Sequence, residues 1–282
     1  MSFVVGGILG SGGVLALGAC GFSLLYWLTG VANLAQGSLV IVGALSSWEL
    51  QSELHFPVLL AGAIAVCAGF ALGYLLWRYI IGRAELKLPL FRLIVGFACG
   101  LGLAGGLALL VTSNFVWIPT KTGTDQVALA KMNVPLPDVI AGLVGVAAAL
   151  AISWTIRSTR IGLVLRAISD DHDAARLLGV RSVRLVYLVA GIAGALAALG
   201  GVFAVWRGAV ATSEINRYTI DVAVAGVAGR LGSLRGAVAA SFLLAALSAV
   251  VEEWSSHRLI ELCALGLVLA GVWLLPTRKV TP

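Results

Sequence analysis

The sequence predicts an all-α fold, a polytopic bundle of transmembrane helices, and three observations carry that expectation. Residues 1–48 contain no charged side chain, and the first charge is Glu49. The chain as a whole is 60% hydrophobic and only 11% charged over 282 residues. Uncharged windows of helix length recur at 54–77, 93–120, 139–156, 185–206, 236–251 and 262–277. A bilayer core about 30 Å thick needs about 20 apolar residues per crossing helix. These windows are continuous and rich in Leu, Ala and Gly, whereas strands of a transmembrane barrel alternate in short segments.

Taken in order, the windows give eight to nine hydrophobic segments, near 7–28, 34–50, 57–77, 93–113, 138–156, 185–206, 217–229, 236–251 and 259–276. They form a single transmembrane domain over 1–282. No Lys or Arg precedes Arg78, so the N-terminal stretch reads as the first span rather than a cleaved signal, which needs a basic start. The segment 217–229 is too short to cross without tilt, carries Asp221 and runs into the glycine-rich GRLGSLRG at 229–236. Irregular backbone at membrane depth is tolerated only inside protein or along an aqueous cavity, so this segment reads as a broken or re-entrant helix.

Charge placement sets the orientation. With the N-terminus outside, fourteen of the 19 Lys and Arg residues fall in cytoplasmic loops with four acids, and five fall in outer loops with nine acids. The positive-inside rule selects that arrangement, which also places the C-terminus in the cytoplasm. The formal charge of +6 therefore reflects membrane topology, and no nucleic-acid partner is expected.

Small residues four apart lie on one helix face and let backbones approach in lipid. Gly6 with Gly10, Gly69 with Gly73, Gly96 with Gly100 and Gly102 with Gly106 read as packing contacts within the bundle. Cys20, Cys67, Cys99 and Cys263 sit in apolar windows without CxxC spacing and read as small packing residues. No metal site is expected. His55, His172 and His257 are scattered, and neither HExxH nor GxSxG occurs. An enzyme is thus disfavoured. The GxxxxGK[ST] phosphate loop is absent as well, so this chain is not expected to bind ATP in that way.

Three segments hold the polar residues that need a purpose. In GVANLAQGSLVIVGA, residues 30–44, Asn33 and Gln36 are three apart and Gly37 follows, a spacing that puts two amides and a gap on one helical face. That face fits either a polar solute or an interhelical clamp. In STRIGLVLRAISDDHDAARLLGVRSVR, residues 158–184, apolar positions recur at helical spacing and Asp170, Asp171 and Asp173 precede Arg176. This segment reads as an amphipathic cytoplasmic helix ended by Gly179, suited to docking against another protein. The third segment is the glycine-rich turn at 229–236.

GVANLAQGSLVIVGA, LRAISDDHDAARLLGV and GRLGSLRGAVAASFLLAALSAVVE together resemble, in order, signatures of the branched-chain amino acid permease family of bacterial ABC importers. The resemblance covers residues 30–252 and departs from the family at Leu45, Arg230, Arg235 and the three aspartates. It implies a permease subunit in the bacterial inner membrane, paired with a second permease of similar fold. Two cytoplasmic ATPase subunits would bind ATP and Mg, leaving no cofactor on this chain, and an external solute-binding protein would deliver the solute. The solute would be a branched-chain or other amino acid, an amide or urea. By the same resemblance Asn33, Gln36, Gly37 and Ser38 lie on or near the translocation route. Arg166, Ala167, Asp170, Asp171, Ala174, Ala175, Arg176 and Gly179 form the ATPase coupling segment, and Gly229, Gly232, Ser233 and Gly236 the turn beside the pore. The competing expectation is a stand-alone channel or secondary transporter for a small polar solute.

Overall fold

A computed structural model describes residues 2–82, 89–110, 115–116, 126–129, 132–180, 182–208, 210–211, 215–254 and 266. Ten α-helices occur among the described residues: α1 (Ser2–Thr29), α2 (Gln36–Ser52), α3 (Val58–Leu76), α4 (Pro89–Leu110), α5 (Leu136–Ser158), α6 (Arg160–Asp170), α7 (His172–Leu177), α8 (Ser182–Arg207), α9 (Ile215–Ala228) and α10 (Leu234–Trp254). A π-helical turn, Trp77–Ile81, prolongs α3. Four helices are long and apolar enough to cross a membrane: Val4–Thr29, Val58–Ile81, Leu136–Ser158 and Ser182–Arg207. Phe91–Leu103 and Leu234–Ala249 are shorter apolar stretches. The ninth hydrophobic segment, 259–276, lies outside the described residues except for Gly266.

Burial separates centre from rim. The spans of α1 and α8 are 83% and 67% buried, against 22% for those of α3 and α5, so the first pair forms the axis around which the others pack. Exposed Leu59 on α3 and Leu143, Leu150 and Trp154 on α5 present apolar surface to the surroundings, as lipid-facing positions must.

Backbone proximity is arranged by small residues. Gly69 and Gly73 on α3 meet Gly194 and Ala190 on α8, and Gly43 on α2 meets Ala198. In a medium where apolar burial no longer drives association, such contacts supply the van der Waals energy that holds helices together. The expectation for Gly69 with Gly73 and for Gly96 with Gly100 agrees with this packing. Gly102 and Gly106 differ, because neither has a neighbour within 4 Å of where a Cβ would stand.

The structure also contains two small antiparallel ladders that the all-α reading did not include. Strands β2 (Gln126–Leu129) and β3 (Met132–Pro135) form a hairpin, with Gln126 opposite Pro135. Strand β1 (Phe115–Val116) pairs with β4 (Val210–Ala211). All lie in connections between long helices, where two or four residues carry too little periodicity to be read as strand.

Candidate functional site

The start of α2 is where the amide segment sits. The chain leaves α1 through Gly30, whose φ of +67° is a left-handed conformation that favours glycine. It then runs without helical structure through Val31, Ala32 and Asn33. Asn33 precedes the helix, so it does not share a helical face with Gln36, contrary to the spacing argument. Its Oδ1 instead accepts a hydrogen bond from the Ala35 backbone N–H at 3.1 Å, a local turn that asparagine forms readily. The Gln36 N–H donates to the Asn33 carbonyl at 3.2 Å, and α2 begins.

That beginning is deep within the bundle. Gln36 Nε2 donates to the Ala193 carbonyl at 2.6 Å, and Ala193 stands at the twelfth of 26 positions in α8. At 1.5 Å per residue this is about 17 Å along α8, near its middle. Gln36 is 1% exposed, and its Oε1 is buried without a hydrogen-bond partner. Gly96 and Gly100 of α4 close over Asn33 and Ser38. A Cβ on Gly37 would run into the Thr219 backbone, so the first turn of α2 and the second turn of α9 meet directly. Both helices are short, 17 and 14 residues, and α2 places its N-terminal, partially positive end in the protein interior, whereas Arg217 near the start of α9 is exposed. The re-entrant reading of 217–229 thus corresponds to a 14-residue helix of about 21 Å, shorter than a bilayer core.

The segment 158–184 forms two helices rather than one. Thr159 Oγ1 accepts from the Gly162 N–H at 3.0 Å and starts α6. Asp171 then breaks the helix: its Oδ1 accepts from the N–H groups of Asp173 and Ala174, both at 2.9 Å, and starts α7. Serial aspartates look like surface charge in sequence, but here one is an N-cap. Gly179, with φ +81°, ends α7 as expected. Its N–H donates to the Arg176 carbonyl and that of Val180 to the Ala175 carbonyl, a Schellman closure.

Leu165, Ile168 and Ala175 face inward and pack with Leu24, Trp77, Ile81 and Val186. Arg166, Ala167, Asp170, Asp171, Ala174, Arg176 and Gly179 are exposed. Between them the structure presents Leu177, which the sequence reading passed over, and Leu178, which it counted on the apolar helical face; they are 90% and 83% exposed. Two adjacent leucines just before a helix-ending glycine in a charged segment were the available signal.

The turn at 229–236 is built on backbone contact. Gly229 and Gly236 touch so closely that a Cβ on either would collide with the other's main chain. Arg230 and Gly232 both have positive φ, 66° and 84°. Ser233 starts α10, its Oγ accepting from the Gly236 N–H at 3.3 Å. The turn and the 158–184 segment come together, since Arg166 and Asp170 share a cavity of about 500 Å³ with Gly232 and Ser233. The α2 start is separate from it.

A buried ion pair was not foreseen. Arg207, at the end of α8, donates from Nε to Asp138 Oδ1 at the start of α5, and its NH2 group reaches Ser11 Oγ on α1 at 3.3 Å. The side chains are 17% and 11% exposed. Gly10 and Gly6 leave the space that this pair fills. In sequence both residues fell among outer-loop charges, 69 positions apart.

Comparison with known proteins adds a lineage to this geometry. The family model described as "Branched-chain amino acid transport system / permease component" matches residues 4–275. The high-affinity branched-chain amino acid transport system permease protein LivH of Escherichia coli K12 is 25% identical over 279 residues, covering 94% of this chain and 91% of that protein. The autoinducer 2 import system permease protein LsrC of Photorhabdus luminescens is 30% identical over 250 residues, with 84% and 70% covered. The ribose import permease protein RbsC of E. coli K12 is 27% identical over 256 residues, with 84% and 75% covered.

Proposed function

Because the chain belongs to the branched-chain amino acid transport system permease component family, we infer that it works as the membrane-spanning permease component of an ABC importer. It is a multi-pass inner-membrane protein, and its role is transport rather than catalysis. From that premise the more specific reading follows: a pore half paired with a second permease, driven by two cytoplasmic ATPases that bind ATP and Mg, and supplied by an external solute-binding protein. The full crossing number, eight or nine, and the orientation with 158–184 in the cytoplasm belong to this reading too.

The observation that carries the solute class is the meeting of α2 and α9. The N-terminus of α2, directed into the interior, favours a negative group beside it, as oriented N–H dipoles do at discontinuous transmembrane helices. The buried, unpartnered Gln36 Oε1 offers an acceptor to an ammonium or amide donor. A carboxylate and an amine on one small molecule describe an amino acid. The relatives also include ribose and autoinducer 2 import permeases. The amino-acid permease matches extend over 94% of this chain, against 84% for those two. In this account Asn33, Gln36, Gly37 and Ser38 line the route, and Gly229, Gly232, Ser233 and Gly236 hold the turn at its inner end.

Coupling to the ATPases is assigned to α6 and α7. Arg166 and the 170–176 stretch, with Leu177 and Leu178 projecting beside Gly179, form a mixed apolar and charged surface anchored below by Leu165, Ile168 and Ala175. Replacing Leu177 and Leu178 together by Asp is expected to lower solute-stimulated ATP hydrolysis at least tenfold in the reconstituted complex, about 1.4 kcal/mol or more of lost coupling. Membrane insertion should be unchanged, because neither side chain is packed in the bundle. Normal coupling in that variant would remove this surface from the ATPase contact.

A further inference from the structure

The cavity between α6 and the 229–236 turn has a chemistry that transport coupling does not require. Its charged lining is Arg157 from the end of α5, Arg166 and Asp170 from α6, and Arg235 from the start of α10. Three arginines and one aspartate thus border the space. Ion pairs among the described residues join Asp138 with Arg207 and Arg217 with Asp221, and no described acid stands within ion-pair distance of these three arginines. Arg166 Nε is held by the Gly162 carbonyl at 3.4 Å, which steadies the side chain and leaves its terminal nitrogens available. Ser153, Ser169 and Ser233 add hydroxyl groups around the same space.

The remaining wall is apolar and interfacial. Leu24 and Trp27 come from the last turns of α1, and Ile156 from the last turn of α5. Both helices are membrane spans ending at Thr29 and Ser158, which puts the cavity at headgroup level, where tryptophan is enriched. Planar guanidinium forks bind phosphate oxygens in pairs, and their attraction is stronger where one side of the site is apolar. Unpaired arginines crowded around 500 Å³ repel one another until an anion joins them.

We propose that this cavity holds a phosphate group, carried by the headgroup of an acidic phospholipid, and that the bound phosphate ties α5, α6 and the α10 turn together. The site is distinct from the route at α2, it shares Arg166 and Asp170 with the coupling segment while Leu177 and Leu178 lie outside it, and it stands whether or not the chain is driven by ATPases.

The test uses the full-length chain in detergent, followed by native mass spectrometry and thermal unfolding. Phosphatidylglycerol, phosphatidylcholine and inorganic phosphate are added in separate arms. Wild-type protein is expected to retain phosphatidylglycerol in preference to phosphatidylcholine. Arg157→Gln and Arg235→Gln should each reduce that retention about fivefold, the effect of one cation beside an anionic lipid surface. Arg235→Lys should keep most of it, which separates charge from folding. Stabilisation by inorganic phosphate that the Gln variants abolish would also support the site and assign it to a soluble phosphate. Equal lipid retention by wild type and both Gln variants, with no phosphate effect, would overturn the proposal. So would unchanged lipid retention accompanied by loss of co-purifying ATPase subunits, because the arginines would then be a protein contact.

Discussion

Asp138→Asn or Arg207→Gln alone is expected to destabilise the folded chain by about 3–5 kcal/mol, because each leaves an uncompensated charge where the partner was buried. Arg207 joins the end of α8 to both the start of α5 and α1, through Asp138 and Ser11. Its loss should therefore loosen the axis helices α1 and α8, together with the rim helix α5, at one end. The double variant Asp138→Leu with Arg207→Met is expected to recover most of that stability, since replacing both members of a buried pair by apolar groups is often neutral. Equilibrium unfolding of the three variants in mixed micelles gives the comparison. Equal loss in single and double variants would mean that the helices depend on shape at this point and not on charge balance.

The second large effect is expected at Gly37. Valine there has no room, because its Cβ would enter the Thr219 backbone, and the first turn of α2 and the second turn of α9 must separate. Overpacking of this kind typically costs about 1–3 kcal/mol, and here it also displaces the α2 N-terminus to which solute recognition is assigned in the proposed function. Gly37→Val is expected to abolish uptake while leaving a folded, inserted chain. Gly102→Ala is the matched control: nothing lies within 4 Å of its Cβ position, and alanine favours a helix over glycine by about 1 kcal/mol. It should insert and transport normally. Transport assayed in proteoliposomes, with insertion measured separately, distinguishes a blocked route from an unfolded protein.

The order of helices was legible because each uncharged window is long enough to decide between crossing and solvent exposure. Gly179 was legible for the same kind of reason: a glycine after a periodic run has one common use, and its positive φ follows. Asn33 was not, because spacing of three is shared by a helical face and by a turn that leads into a helix. Only the Ala35 N–H on its side chain separates the two. Asp171 was hidden by its neighbours, since three aspartates in four positions look like solvated charge until one of them accepts two backbone N–H groups. The Asp138 and Arg207 pair was hidden by distance along the chain. Each residue sits at a span boundary, where a lone charge is ordinary, and nothing local states that the two boundaries meet.

The same limit applies to the site. The amide segment was found because polar side chains within an apolar window are conspicuous, but the depth of α2 depends on which α8 carbonyl Gln36 reaches. The docking segment was found from its charge pattern, but Leu177 and Leu178 carry its apolar surface. Their exposure depends on the Asp171 break, which sets α7 apart from α6, and on the closure at Gly179.

The central claim, that this chain is the permease component of an ATP-driven importer, is tested most directly by uptake in proteoliposomes containing it with and without its ATPase subunits. The account predicts that the chain purifies with two ATPases and that solute enters only when ATP is hydrolysed on their side of the membrane. Uptake by the chain alone, at the same rate and without ATP, would contradict it.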